Sequence, residues 1–134
     1  MTPEQASALV AAMPFAARLG IEIVEATPGA VRGRLAWAAA HCTTAGILHG
    51  GALMSLGDTL GAICAFLNLP SGAATTTIES KTNFFRAVRD GTVEATCRPL
   101  HVGRTIIVVQ TDVTDTNGRR VAQVTQTQAV LTSA

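Results

Sequence analysis

The stretch Gly50-Gly51-Ala52-Leu53-Met54-Ser55-Leu56-Gly57-Asp58-Thr59-Leu60-Gly61-Ala62-Ile63-Cys64-Ala65-Phe66-Leu67 decides the fold of this 134-residue chain. Leu53, Leu56, Leu60, Ile63 and Leu67 recur at spacings of 3, 4, 3 and 4, which is one face of an α-helix. The opposite side carries Gly57, Asp58, Gly61, Ala62 and Ala65, almost all small, so another backbone can approach closely. Residues 50–67 therefore read as a helix buried nearly all round, with one carboxylate in it. Asp58 is the sole formal charge among the 44 residues between Arg34 and Glu79. A buried, unpaired Asp costs several kcal/mol, so a mid-helix Asp in such a setting calls for a functional reason.

Outward from the helix, the chain changes character on both sides. After the turn Pro70-Ser71-Gly72, strand-like runs cover 74–86, 91–101, 104–115 and 120–131. They are separated by Arg89-Asp90-Gly91, by Gly103 and by Asn117-Gly118, a strong hairpin signal. Before the helix, residues 37–49 are irregular. Ile21, Ile23 and Val24 lead to a Pro28-Gly29 turn, and Val31, Gly33 and Leu35 then alternate with Arg32 and Arg34 in a first hairpin. A short helix over 3–13 starts on Pro3 and stops at Pro14, with one further turn over 14–19. The order is helix, two strands, a long helix, then four strands. That is an α+β plan in a single domain, residues 1–134, with a long central helix wrapped by an antiparallel sheet of five to six strands.

Composition narrows the function classes. The chain is 48% hydrophobic and 14% charged with a formal net charge of +1, which excludes a disordered chain and gives no footprint for nucleic acid. The uncharged run Leu35–Gly57 contains His41, Cys42, Thr43, Thr44 and His49, unlike a spanning segment. No basic segment precedes an apolar core at the N-terminus, so the expectation is a cytoplasmic protein without a membrane partner. Cys42, Cys64 and Cys97 are odd in number and form no CxxC, which fits a reducing compartment. His41, His49 and His101 show no metal-ligand spacing, so no metal is expected. Nineteen charged residues and no Tyr make a thin polar coat, so copies of the chain are expected to cover part of its apolar surface.

The segment Gly46-Ile47-Leu48-His49-Gly50-Gly51 leads into the helix. Two glycines there expose the first backbone N–H groups, which lack intrahelical partners and sit at the positive end of the macrodipole. They suit an anion or a carbonyl oxygen developing negative charge; the alternative is that they only ease a tight start to a crowded helix. From Gly50 to Asp58 is eight residues, about 12 Å along the axis. A carboxylate that far away cannot act on a carbonyl held at its own helix's N-terminus. If both groups serve one reaction, Asp58 must come from a second chain.

These residues carry a resemblance. Gly-x-x-His-Gly-Gly over 46–51, with an acid nine residues after the His, resembles the hotdog-fold acyl-CoA thioesterases of the phenylacetate-degradation and 4-hydroxybenzoyl-CoA type. The segment Thr77-Ile78-Glu79-Ser80-Lys81-Thr82-Asn83-Phe84-Phe85-Arg86 and the boundary His101-Val102-Gly103-Arg104-Thr105 are similar to later parts of that family. The resemblance covers roughly residues 15–131. It implies that Asp58 is the general base or nucleophile, that the Gly50 N–H, helped by Gly51, polarises the thioester carbonyl, and that His49 shapes the loop. Thr77 falls where relatives carry a hydroxyl that orients water. Asn83, Phe84, Arg86, Gly103, Arg104 and Thr105 lie along the CoA arm, and arginine's planar fork suits phosphate. Thr43 stands where many relatives carry Asn or Gln. Ser80 and Thr82, on the strand face of Ile78 and Phe84, are expected to make the acyl pocket partly polar. The resemblance further implies an acyl-CoA substrate, no cofactor beyond its CoA, and a dimer or a tetramer of two dimers. The alternatives are a non-catalytic acyl-CoA-binding hotdog protein and a hotdog hydratase or dehydratase.

Overall fold

The computed structural model describes residues 1–133. Its elements are α1 (Pro3–Ala11), α2 (Pro14–Leu19), β1 (Glu22–Thr27), β2 (Ala30–Ala36), α3 (Gly50–Leu67), β3 (Ala74–Phe84), β4 (Thr92–Val102), β5 (Ile106–Thr114) and β6 (Arg120–Leu131). Two 3₁₀ turns, Ala39–His41 and Thr44–Gly46, make up the irregular stretch before α3. Six strands form one antiparallel sheet in the order β1-β2-β4-β5-β6-β3, with β3 at one free edge. The helix and sheet plan expected from the sequence is the one observed, with six strands. Helix α3 spans the expected 50–67, whereas α1 ends at Ala11 because Pro14 opens α2.

The sheet curls around α3. Val31, Leu35, Val93, Ala95, Cys97, Ile107, Val109, Val113, Ala122 and Val124 point inward against Leu53, Leu56, Leu60 and Ile63, all of them buried. Although α3 is long and apolar enough to cross a membrane by length and composition (mean hydropathy 1.4), here 56% of it is buried within this fold. It is not buried all round. Met54, Asp58 and Phe66 lie on a stripe that the sheet leaves uncovered.

The small residues of α3 have a role inside the chain. A Cβ on Gly57 would lie 2.6 Å from Val124 Cγ2, and one on Gly61 would occupy the place of Gln126 Oε1. The two glycines are thus slots for β6 side chains, where the sequence pointed to a second backbone. Strand β3 also departs from simple alternation. Its register against β6 shifts between Thr77 and Glu79, leaving Ile78 as a bulge residue that is 60% exposed. The bulge changes the phase of the strand, so Thr77 and Ser80 both reach the inward side chains of β6. Ile78 accordingly does not share an apolar face with Ser80 and Thr82.

The Gly57 slot predicts an outcome opposite to helix propensity. Gly57→Ala gains about 1 kcal/mol of propensity. It forces its methyl onto Val124, a stiff β-branched side chain that is 1% exposed. Overpacking costs about 1–3 kcal/mol, so Gly57→Ala should lower the melting temperature in a thermal denaturation scan rather than raise it.

Candidate active site

The loop 37–49 is tied at several points. The Trp37 indole N–H donates to Gly46 O at 2.9 Å, Leu48 N–H to Val88 O at 2.8 Å, and His49 N–H to His41 O at 2.9 Å. Within it Ala45 adopts φ 62°, a left-handed conformation that costs a non-glycine residue about 1–2 kcal/mol. Trp37 is the donor that pins this strained turn. The loop delivers His49 as the N-cap of α3, with its backbone extended at φ −60°, ψ 135°.

His49 then divides the labour of the two glycines. Its Nδ1 accepts the Gly51 N–H at 2.7 Å. The Gly50 N–H has no acceptor among the described residues. One amide at the positive helix end is therefore capped, and its neighbour is left available. The Phe84 ring lies over Gly50, its Cζ 3.1 Å from where a Gly50 Cβ would stand. Around this amide the chain forms a pocket of about 320 Å³, lined in part by Thr43, Leu48, Leu53, Phe84, Phe85 and Arg86. Thr43, Gly50, Phe84 and Arg86 are thus brought together.

Asp58 is set apart from that pocket. It sits two helical turns along α3 on the uncovered stripe, where its Oδ1 accepts the Gln126 side-chain N–H at 2.7 Å. The carboxylate is exposed rather than buried, so Gln126 and not desolvation is its main constraint within the chain. Thr77 is on β3, where its Oγ1 accepts the Gln128 amide at 2.9 Å. Ser80 is likewise engaged by Gln126 at 3.2 Å, while the Thr82 hydroxyl is buried without a partner.

Gly103, Arg104 and Thr105 form the β4–β5 turn, where Thr105 O accepts the Val130 N–H at the far end of β6. That end of the sheet also holds Ala74, which pairs with Leu131, whereas Phe84 pairs with Ala122 at the other end. Ten residues of strand separate the two ends, about 33 Å. A single chain therefore does not unite Arg104 and Thr105 with Gly50, Asn83 and Arg86.

Two functional candidates escaped the reading of the sequence. Gln126 and Gln128 are 1% and 0% exposed, among the few buried polar side chains of the fold. The signal is visible in Ala122, Val124, Gln126, Gln128 and Val130, an every-second-residue row in which two amides interrupt apolar residues. Among other candidates, Cys64 and Cys97 meet in the core. The neighbouring Cys64 thiol and burial together hold the Cys97 thiol well above its ordinary range, which keeps it an unreactive core residue. Among the described residues, no group of three or more His, Cys, Asp or Glu side chains is placed to hold a metal ion.

Residues 45–122 match the thioesterase superfamily. The chain belongs to that superfamily. The proofreading thioesterase EntH of Cronobacter sakazakii is 37% identical over 75 residues, which is 56% of this chain and 55% of that protein. The 1,4-dihydroxy-2-naphthoyl-CoA hydrolase of Escherichia coli is 33% identical over 86 residues, 64% of this chain and 63% of its own. The matched region thus spans little more than half the length of these curated relatives. Over nearly the whole fold, a thioesterase from Haemophilus influenzae superposes with a TM-score of 0.91 at 26% identity, covering 98% of this chain and 92% of that one. The α+β plan expected from the sequence is therefore the hotdog arrangement of this superfamily.

One of the ties that hold the loop 37–49 is the Trp37 indole donor. Trp37→Phe keeps the ring and removes the hydrogen bond to Gly46 O, at an expected cost of about 1 kcal/mol. Amide hydrogen exchange should speed up across residues 43–49 and remain unchanged in β4 and β5.

Proposed function

We propose that the protein is an acyl-CoA thioesterase whose site is shared by two chains. The observation that carries this is the free Gly50 N–H beside a capped Gly51 N–H at the start of the central helix. The carbonyl of a thioester bound in the Thr43, Leu53 and Phe84 pocket would accept the Gly50 N–H. The positive end of α3 would then stabilise the negative charge that grows on that oxygen in the tetrahedral transition state.

The partner's Asp58 supplies the second half, as the general base that activates water or as the nucleophile itself. Its Oδ1 is occupied by Gln126, leaving Oδ2 for chemistry. A thiol ionises near pH 8.5, so a CoA thiolate is a good leaving group and the site works without a strong general acid. This suits a helix start whose capping imidazole, His49, already accepts a backbone N–H.

The free edge supports the dimer. Strand β3 presents 11 residues with an unpaired edge, and Ile78, Phe84 and Phe85 are 60%, 51% and 54% exposed on or beside it. A long apolar edge strand is a template for pairing with another copy. Antiparallel pairing of two β3 edges around a two-fold axis carries each Phe84 end toward the partner's Ala74 end. Arg104 and Thr105 of one chain would then face Asn83 and Arg86 of the other along the CoA arm. Aromatic and aliphatic walls favour a small aromatic or short-to-medium acyl group, in keeping with the aromatic acyl-CoA that the Escherichia coli relative is named for. No cofactor beyond the substrate's CoA enters this scheme, and three free thiols suit the cytoplasm.

Two variants test the catalytic halves. Asp58→Asn should reduce thiol release from an aryl-CoA by about 10²-fold to 10⁴-fold. Gly50→Pro removes the N–H at a first helical position, following a His49 already in the conformation preferred before proline. Its Cβ also displaces the Phe84 ring by a few tenths of an ångström, so Gly50→Ala, which carries that Cβ and keeps the N–H, is the control. The proline variant should cost about 10²-fold to 10³-fold in kcat. Wild-type rates in Asp58→Asn would mean that thioester hydrolysis does not use Asp58.

Hybrid dimers test the sharing. Refolding Asp58→Asn together with Gly50→Pro should restore activity, because in a mixed dimer one site draws both intact groups from different chains. No recovery in a mixture shown to contain hybrid dimers would place both groups of a site in one chain.

A further inference from the structure

The geometry points to Gln126 and Gln128 as positioning residues that orient Asp58 and Thr77, an inference that rests on the catalytic reading of Asp58. The two amides form a chain with one direction. The Thr75 hydroxyl donates to Ala129 O at 2.8 Å and lies 3.3 Å from Gln128 Oε1, while Gln128 Nε2 donates to Thr77 Oγ1 at 2.9 Å and to Gln126 Oε1 at 3.5 Å. Gln126 Nε2 then donates to Asp58 Oδ1 at 2.7 Å and to Ser80 Oγ at 3.2 Å.

The direction follows from the chemistry at the end of the chain. An ionised carboxylate only accepts, so Gln126 must turn its NH₂ toward Asp58 and its oxygen toward Gln128. Both hydrogens of each amide are committed, which leaves neither side chain free to flip. Two consequences reach the surface. One carboxylate oxygen of Asp58 is held while the other is left open. Thr77, already accepting from Gln128, keeps its own hydroxyl hydrogen to donate to water or substrate.

The fold gives up stability to keep this chain. Two amides occupy inward positions of β6 where aliphatic side chains would bury without polar cost. Gly61, in the interior of α3, leaves the space that Gln126 Oε1 fills. The β3 bulge at Ile78 brings both Thr77 and Ser80 within reach of the two amides. A core built for packing alone needs none of the three. No other charge lies on α3, and on β3 and β6 the charged residues are Glu79, Lys81 and Arg120, none on the inward rows that hold Thr77, Ser80, Gln126 and Gln128.

Thiol release by the full-length protein tests the assignment through Gln126→Met, Gln126→Glu and Asp58→Asn. Gln126→Met keeps length and volume without a donor. It should lower kcat about 10-fold or more with KM within about twofold, because a misplaced group costs rate rather than binding. That loss should vanish when Asp58→Asn is already present, since Gln126 acts through Asp58. Gln126→Glu preserves shape and carries the test if the Met variant does not fold. It sets two carboxyl groups one hydrogen bond apart, where they share a proton. Its rate should be closest to wild type where the shared proton still donates to Asp58, and fall as the solution is made alkaline and that proton leaves, a signature that packing alone does not produce.

Wild-type kcat in Gln126→Met would overturn the assignment, as would an equal loss with and without Asp58. So would a flat Gln126→Glu profile. If Asp58→Asn itself keeps the wild-type rate, the catalytic reading of Asp58 falls first and the positioning role falls with it. Loss in Asp58→Asn with no loss in either Gln126 variant leaves the catalytic reading standing and removes only the positioning role.

Discussion

The closeness of α3 to β6 is the constraint on which the rest of the molecule depends. Gly57 and Gly61 let Val124 and Gln126 come to the helix backbone, and these contacts fix how deep α3 sits in the curled sheet. A helix bearing side chains there would ride higher, shifting both of its ends against the strands. Glycine in a helix interior costs about 1 kcal/mol relative to alanine, and two are retained. What they secure is position. The helix N-terminus is held under Phe84, and the single carboxylate is held over a buried amide.

Much of this was legible in the sequence because it depends on local periodicity. The 3-4-3-4 leucine pattern gives α3 its boundaries, and Asn117-Gly118 and Gly103 locate turns that need special backbone conformations. Strand ends were off by a residue or two, where the chain leaves the ladder without a change in residue type. The small-residue face announces a close approach without naming the neighbour. Close approach is a local property, whereas the identity of what approaches depends on how β6 is placed across the sheet. Gln126 and Gln128 stayed hidden for the same reason. Their inward parity can be read from β6, yet their partners depend on the register with β3 and on a one-residue bulge at Ile78. Nor does sequence tell which glycine amide is free. That turns on the His49 rotamer, which decides that Gly51 is capped and Gly50 is not.

The scarcity of charge takes its meaning from the same geometry. A 44-residue stretch with one carboxylate is what a loop and helix require when nearly every inward position must be apolar. Asp58 escapes the full cost of burial because it stands on the uncovered stripe with Met54 and Phe66, in reach of water on one side and of Gln126 on the other. An exposed stripe that is mostly apolar is itself unstable in water as a permanent surface. The same covering that would bury Met54 and Phe66 would also desolvate Asp58, strengthening its hydrogen bond to Gln126 as the local dielectric falls.

That coupling explains why the helix can keep its amide and its acid apart. A rigid helix holds them about 12 Å from each other, too far to share one substrate. A site that forms only when a second chain covers the stripe has one useful property. In the proposed shared site the carboxylate would stay hydrated in the free chain and meet a low dielectric only beside the carbonyl and its polarising amide. Edge strand β3, with Ile78 and the phenylalanines exposed along or beside it, is the part of the surface able to drive such a covering. Under the proposed sharing, the unpaired edge and the lone acid are two halves of one arrangement, because an association that satisfied the strand would also complete the site.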